Sequence, residues 1–404
     1  MVLCVILGFL NFALMKWNWH LVVMSISVVL LILPLYSYLL YPFILKRLKK
    51  SYPIKVSEVD LRKRVLVFIA AYNEEKVMVQ KLESIIGSSY PTHLINVWVG
   101  SDASTDLTDS IVLDYSKRFP QIHLCRMEGR LGKPEIINRL YNISNAQNDN
   151  EAILILTDAN VFFEKQMIQT LVNGFHADNV QLIGANVINT SAAYDNTGSL
   201  EEKYISRENK IKQGESDWKG VLMGPFGACF AMRSNAFETI PSNFLVDDFF
   251  WCLNVLKNGG KACFESKAIC FEDLPGNWKE EFRRKRRIAY GNFQNLGHFK
   301  KMVLKFWTPI GFAFWSHKGL RWFGPLFVMI AFSLQPLMVF ELFLDLLCLG
   351  VLLEGISRLL VINRGPLRAI LYFCQMNVAV FLGMIDFLLK RRKNANWQPT
   401  QRKV

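Results

Sequence analysis

The chain has 404 residues, 51% of them hydrophobic and 20% charged, with a formal net charge of +13. That is too apolar for an ordinary soluble protein and too charged for a pure membrane bundle, so the composition predicts a mixed molecule with a globular part large enough to bury its own core. No basic helix interleaves with base-stacking aromatics, which speaks against nucleic acid, and eight cysteines without CxxC or metal spacing speak against a disulfide framework or structural zinc.

Residues 1–50 form an N-terminal membrane region. Met1 to Leu14 lacks a small-residue cleavage site and reads as a first span or an interfacial segment rather than a signal peptide. Leu21 to Leu45 is long enough to span, tolerates Pro34, and ends in Lys46-Arg-Leu-Lys-Lys50. With Arg62-Lys-Arg64 and Lys390-Arg-Arg-Lys393, this is the positive-inside pattern, and it predicts a cytoplasmic domain over residues 51–300.

That domain alternates strand, polar turn and helix. Val65 to Ala70 is a continuous apolar strand closed by Ala71-Tyr-Asn-Glu-Glu75, and Val77, Leu82, Ile85 and Ile86 follow at helical spacing. Asn96 to Val99 ends in Gly100-Ser-Asp102, Ile122 to Met127 is a third strand, and Gly132-Lys133-Pro134 opens a helix. The fourth strand, Ala152-Ile-Leu-Ile-Leu-Thr-Asp-Ala-Asn160, has no helical period and stops abruptly in Asp158 and Asn160. The alternation predicts an α/β fold with a mostly parallel, doubly wound sheet whose polar turns gather beyond the strand ends, where ligands of such sheets sit. Tyr72, Asn73, Glu74 and Asp102 could stack on and hydrogen-bond a planar base and a ribose, and Lys133 near a helix start suits a phosphate. Asp158 and Asn160 could share a hard divalent cation. Helix capping and ordinary turn chemistry account equally for each of these taken singly. There is no GxGxxG and no P-loop.

Further on, Leu222 to Ala231 is strand-like and contains Gly224 and Gly227, which suit either close approach by a ligand or a bulge. Asp247-Asp248 precedes a run of aromatics. An ionised acid at that helix start could accept a proton from a hydroxyl, or simply cap the helix. The helix stops at Gly259-Gly260, Lys261 to Phe271 predicts a hairpin or paired strands, and Asn277 with Glu280 forms a capping box for a helix carrying Arg283-Arg-Lys-Arg-Arg287. Five adjacent cations point all round a helix, some suited to phosphate and others to solvent.

Residues 301–321 are aromatic-rich, flanked by lysines, and predict an interfacial helix. Residues 322–390 hold three span-sized segments, of which the middle one, with Glu354 and Arg358, reads as re-entrant or interfacial; residues 391–404 read as a basic cytoplasmic tail.

With these motifs in order, the chain resembles membrane-bound family 2 inverting glycosyltransferases of the GT-A fold, among them the synthases of cellulose, chitin, hyaluronan and poly-N-acetylglucosamine. The likeness covers Val65 to Gly291, the flanking membrane layout and Trp397-Gln-Pro-Thr-Gln-Arg402. It implies that Ala71, Tyr72, Asn73, Glu74 and Asp102 contact the nucleoside of a nucleotide-sugar donor, a UDP-sugar, that Lys133 meets its phosphates, and that Asp158 and Asn160 hold Mg2+ or Mn2+. It makes Asp248 the general base, with Gly224, Gly227, Asp247, Arg284 and Arg287 near the acceptor or phosphates. Two departures stand out. Asn160 replaces an acid, leaving Asp158 as the anionic ligand. In the region where processive members carry QxxRW, Arg287 matches the arginine, but Arg284 and Ile288 stand for the glutamine and tryptophan. Losing the ring that would stack on a sugar leaves processive polymerisation and transfer of one or a few sugars both open.

The expected function is transfer of a sugar to a glycan or lipid-linked acceptor at the inner or plasma membrane, in cell-surface or exopolysaccharide synthesis, with membrane lipids and synthesis or export subunits as partners. The alternative is a catalytically silent scaffold or regulatory subunit of such a complex. A transport role, marked by Glu341, Asp345, Glu354, Arg358 and Asp386, is a third reading, and three to five helices are few for an independent carrier.

Overall fold

A computed structural model of the chain describes residues 22–51, 63–176, 179–189, 196–272, 278–334 and 365–391. Two compact units result, one from Met1–Tyr41 and Ser316–Leu382, the other from Pro42–Trp315 and Gly383–Val404.

The larger unit is built on strands β1 (Val65–Ala71), β2 (Ile95–Ser101), β3 (Ile122–Arg126), β4 (Ile153–Asp158), β5 (Val161–Phe163), β6 (Val180–Asn189), β7 (Cys229–Arg233) and β8 (Lys261–Glu272). They form one sheet in the order β3-β2-β1-β4-β7-β6-β8-β5. Its helices are α1 (Glu75–Ile86), α2 (Thr108–Arg118), α3 (Lys133–Ile143), α4 (Met167–Gly174), α5 (Asn196–Lys219), α6 (Asp247–Lys257), α7 (Trp278–Val303) and α8 (Pro309–Phe314). Every residue of β1 is buried, which explains why its sequence runs apolar without alternation: both faces are covered.

The strands from β3 to β4 pair in parallel, as the sequence predicts. Beyond β4 the sheet is mixed: β7 runs antiparallel to β4 and β6, β6 and β8 are parallel, and β5 closes antiparallel on β8. Two expectations need correction here. Of the predicted Leu222–Ala231 strand only Cys229–Ala231 joins the ladder, as the first part of β7. Gly224 adopts φ +85°, Pro225 follows it, and neither continues a pleated strand. The predicted hairpin over 261–271 is one strand, β8. Its polar Ser266-Lys267 is a bulge rather than a turn: the register against β6 jumps from Ala185↔Glu265 to Asn186↔Ile269, and the Asn186 side chain donates to Ser266 O at 2.8 Å.

The expected interfacial helix over 301–321 is also divided. Helix α7 continues to Val303, an exposed turn carries Leu304, Phe306 and Trp307, and α8 begins after Thr308, whose hydroxyl accepts from Gly311 N. Ala313 and Phe314 of α8 are buried. Asp386, expected among intramembrane ionisable groups, is buried and accepts a two-pronged contact from Arg286, at 2.6 and 2.8 Å. That geometry is a structural ion pair.

In the smaller unit the buried Arg321 donates to Ser37 Oγ at 3.0 Å and Ser37 O at 3.1 Å, and lies over the Tyr38 ring. Among the described residues, two helices are long and apolar enough to cross a membrane, Val22–Arg47 and Leu371–Leu388. The expectations about Met1 to Leu14, Asn277, Glu341, Asp345, the re-entrant segment with Glu354 and Arg358, and residues 392–404 lie outside the described residues.

Candidate active site

The carboxyl ends of β1 and β2 are held together by side chains drawn from both turns. Asn73, at φ +52°, exchanges hydrogen bonds with Thr105, and its N–H donates to Ser104 Oγ at 3.2 Å. Glu74 N donates to Thr108 Oγ1 and Glu75 N to Asp106 Oδ2, while Glu75 Oε2 accepts from Leu107 N. The Tyr72-Asn-Glu74 turn is thus a braced platform rather than a loose loop. Ala71 and Glu74 are buried.

Asp102 is fully buried and binds the chain that leads into α3. It accepts from Arg130 Nε at 2.9 Å, from Leu131 N at 2.6 Å and from Gly132 N. Arg130 in turn lies 3.3 Å from the centroid of the Tyr72 ring. Tyr72, Asp102 and Arg130 therefore form one cluster, and Arg130 is a member that sequence reasoning missed.

Gly132, at φ +84°, turns the chain into α3 and delivers Lys133 over the end of β4. Lys133 Nζ contacts Asp158 Oδ1 at 2.7 Å, Gly227 O at 3.3 Å and Asp247 Oδ2 at 3.5 Å. Burial opposes its charge, yet Asp158, Asp247 and Asp248 together hold the ammonium above the usual lysine range. Residues some hundred positions apart in the chain meet at this one cation.

Asp247 and Asp248 open α6, where the free N–H groups favour anions. Helix α7 fixes this start: Asn295 Nδ2 donates to Val246 O at 2.9 Å, and the backbone of Gly291 packs so tightly on Val246 that an added Cβ would lie 2.5 Å from Val246 Cγ2. The carboxyl of Asp248 is pushed up to about 6 by burial and by the neighbouring Asp247, against the pull of Lys133, Lys212 and the Phe249 N–H. A Cβ at Gly227 would come within 3.3 Å of Asp248 Cγ, so the missing side chain is what lets the 224–228 loop lie against this acid. Lys212, on α5, is buried with its ammonium 3.0 Å from the Phe226 ring centroid. It was not singled out from sequence.

The cationic stretch of α7 sorts itself. Arg284 and Lys285 pair with the buried Glu281, and Arg286 with Asp386. Arg287 is half-buried one turn before Gly291.

Among the described residues no group of three or more His, Cys, Asp or Glu side chains could cage a metal ion. What the chain offers is the Asp158 side chain, 37% exposed, with Asn160 two residues on. That donor set fits a cation taking its remaining ligands from a diphosphate and water. Asp247 Oδ2, buried with no hydrogen bond beyond its 3.5 Å ion pair with Lys133, adds acceptor capacity to the same place.

Residues 66–240 match the family model of glycosyl transferase family 2. The chain is 27% identical over 254 residues, 60% of its length, to the probable glycosyltransferase YdaM of Bacillus subtilis, and 25% identical over 118 residues, 29% of its length, to a β-monoglucosyldiacylglycerol synthase of Nostoc. Those matches span 57% and 24% of the two relatives' own lengths. The fold is similar to that of the mannosyltransferase PcManGT of Pyrobaculum calidifontis in complex with GDP-Man and Mn2+, with a TM-score of 0.66 at 19% identity, covering 92% of this chain and all of that one.

Proposed function

We propose that this chain is a family 2 glycosyltransferase of GT-A-like fold that transfers a sugar, with inversion, from a nucleotide-diphosphate donor to a hydroxyl of a glycan or lipid-linked acceptor at a membrane. One observation carries this reading: the Lys133 ammonium joins the acid at the end of β4 to the acid pair that starts α6. A leaving phosphate and an attacking hydroxyl need opposite chemistry side by side, a cation for the first and a base for the second. Both are present.

In this reading Lys133 and the N-terminus of α3 bind the donor diphosphate, with Lys133 exchanging a carboxylate partner for phosphate oxygen. Asp158 and Asn160 would hold Mg2+ or Mn2+, which when bound neutralises the leaving diphosphate. The Tyr72 and Asp102 cluster takes the nucleoside, Arg130 giving up its stacking position on Tyr72. Asp248 removes the acceptor hydroxyl proton while attack comes from the face opposite the leaving group, which inverts configuration. Arg284 and Arg287 are assigned to acceptor or phosphate contacts.

The membrane setting is supported by the two span-sized helices, by Lys46 and Arg47 at the end of the first, and by the exposed turn in which Phe306 is 65% and Trp307 71% exposed, with Lys300, Lys301 and Lys305 around them. In this reading the catalytic domain lies on the cytoplasmic face of a multi-pass protein that works in cell-surface or exopolysaccharide synthesis.

The test is nucleoside diphosphate release by the purified protein, supplied with UDP- and GDP-sugars and a membrane extract, with Mn2+ or with EDTA. Release from one donor, reduced on the order of 10-fold or more by EDTA, is expected. Donor binding without release across the whole panel favours the silent scaffold instead.

A further inference from the structure

Helix α1 buries one stripe, and Val77, Lys81 and Ile85 stand on it at i, i+4, i+8 spacing. Lys81 is fully buried among apolar neighbours. A methionine would fill the same space without desolvating a charge, so an ammonium here calls for a use.

Its contacts supply one. Lys81 Nζ donates to Thr157 Oγ1 at 2.9 Å and to Val161 O at 2.5 Å, and sits 4.0 Å from the centroid of the Phe163 ring. Thr157 and Val161 are the two flanks of the Asp158-Ala-Asn160 turn. The Thr157 hydroxyl, accepting from Lys81, donates onward to Ala228 O at 3.1 Å, the same oxygen that accepts from Asp158 N at 3.0 Å. Its neighbour Gly227 O receives Lys133. One ammonium beneath the carboxyl end of β4 thereby ties the Asp158 turn to the neighbouring 224–228 loop. Its hydrogen-bond partners among the described residues are neutral oxygens, and burial lowers its pKa to about 8.

We propose that Lys81 is a positioning residue of the donor site: by gripping Thr157 and Val161 it fixes the turn on which the donor's diphosphate and its metal rest. The inference depends on the transferase reading, and the experiment separates the two. Binding of Mn2+ in the presence of GDP or UDP is followed by the electron paramagnetic resonance of free Mn2+ for the wild type, Lys81→Met and Thr157→Val, with circular dichroism melting as the control for folding.

The expected result is a folded Lys81→Met whose Mn2+–nucleotide affinity falls about 10-fold, as for loss of other supports behind metal ligands, with donor KM rising by a similar factor and kcat at saturation much less affected. Thr157→Val, which removes a single hydroxyl, falls in the same direction by a smaller factor. A folded Lys81→Met with wild-type affinity overturns the proposal. Should Lys81→Met not fold, Thr157→Val decides: weaker binding upholds the clamp and unchanged binding overturns it. A wild type that binds neither nucleotide with Mn2+ would instead overturn the transferase reading.

Discussion

Replacing Asp248 with Asn is expected to lower kcat by about 10³-fold, within the range that a positioned general base contributes, while the donor dissociation constant stays within about twofold. The amide keeps the volume of the carboxyl, so the loop at Gly227 still fits against it, and its oxygen can still accept from the Phe249 N–H. What it cannot do is take a proton. The pH profile gives a second signature. Burial and Asp247 push the Asp248 carboxyl up to about 6, so the competent, ionised form predominates above that pH and is lost below it. Log kcat/KM should therefore be flat on the neutral side and fall with unit slope as pH drops through about 6, a limb absent from the residual activity of the Asn variant. Substantial turnover in Asp248→Asn would remove the base from the account.

Asp158→Ala should act on binding instead. Loss of the exposed carboxylate at the end of β4 is expected to weaken metal-dependent donor binding by about 10–100-fold, the scale of a charge-assisted contact of roughly 1.5–3 kcal/mol. Titration calorimetry with GDP or UDP, each with and without Mn2+, reads this directly. The same substitution frees Lys133 from its 2.7 Å partner, leaving it to Asp247 and to the donor phosphate. Metal-free nucleotide binding should consequently hold steady or rise, so the Mn2+-dependent part of the affinity is the part that disappears. Equal Mn2+ enhancement in wild type and variant would contradict a metal-facing role for Asp158.

Much of this architecture is legible in the sequence. Val65–Ala71 and Ile153–Asp158 are central strands covered on both faces, so their sequences are continuous apolar runs with sharp polar ends. The acids assigned to the proposed site sit at the ends of β1, β2 and β4 or at the start of α6, where an anion is stabilised. The second half of the sheet was harder to read. In β8 the polar pair Ser266-Lys267 has the chemistry of a turn, and only the neighbouring strand β6 decides that it is a bulge. The Leu222–Ala231 stretch has strand composition, but the backbone at Gly224 withdraws it from the ladder.

The residues missed have different causes. Lys81 was visible in principle, as a charge on the apolar stripe between Val77 and Ile85, and such a misplaced charge is a stronger signal than any motif around it. Arg130 and Lys212 carried no such mark. Their partners, Asp102 and Tyr72 for one and Phe226 for the other, are brought near only by the fold. The run Arg283 to Arg287 is ambiguous because five cations cover every face of a helix; in the fold three of them pair with Glu281 and Asp386.

A diffraction structure of the protein with GDP or UDP and Mn2+, whichever binds, tests the central claim most directly. The account predicts the diphosphate between Lys133 and the Asp158–Asn160 turn, the base over the Tyr72 platform, and Asp248 facing an open space large enough for a sugar. A nucleotide seated away from the ends of β1 and β4, or an Asp248 carboxyl walled off from the diphosphate, would contradict it.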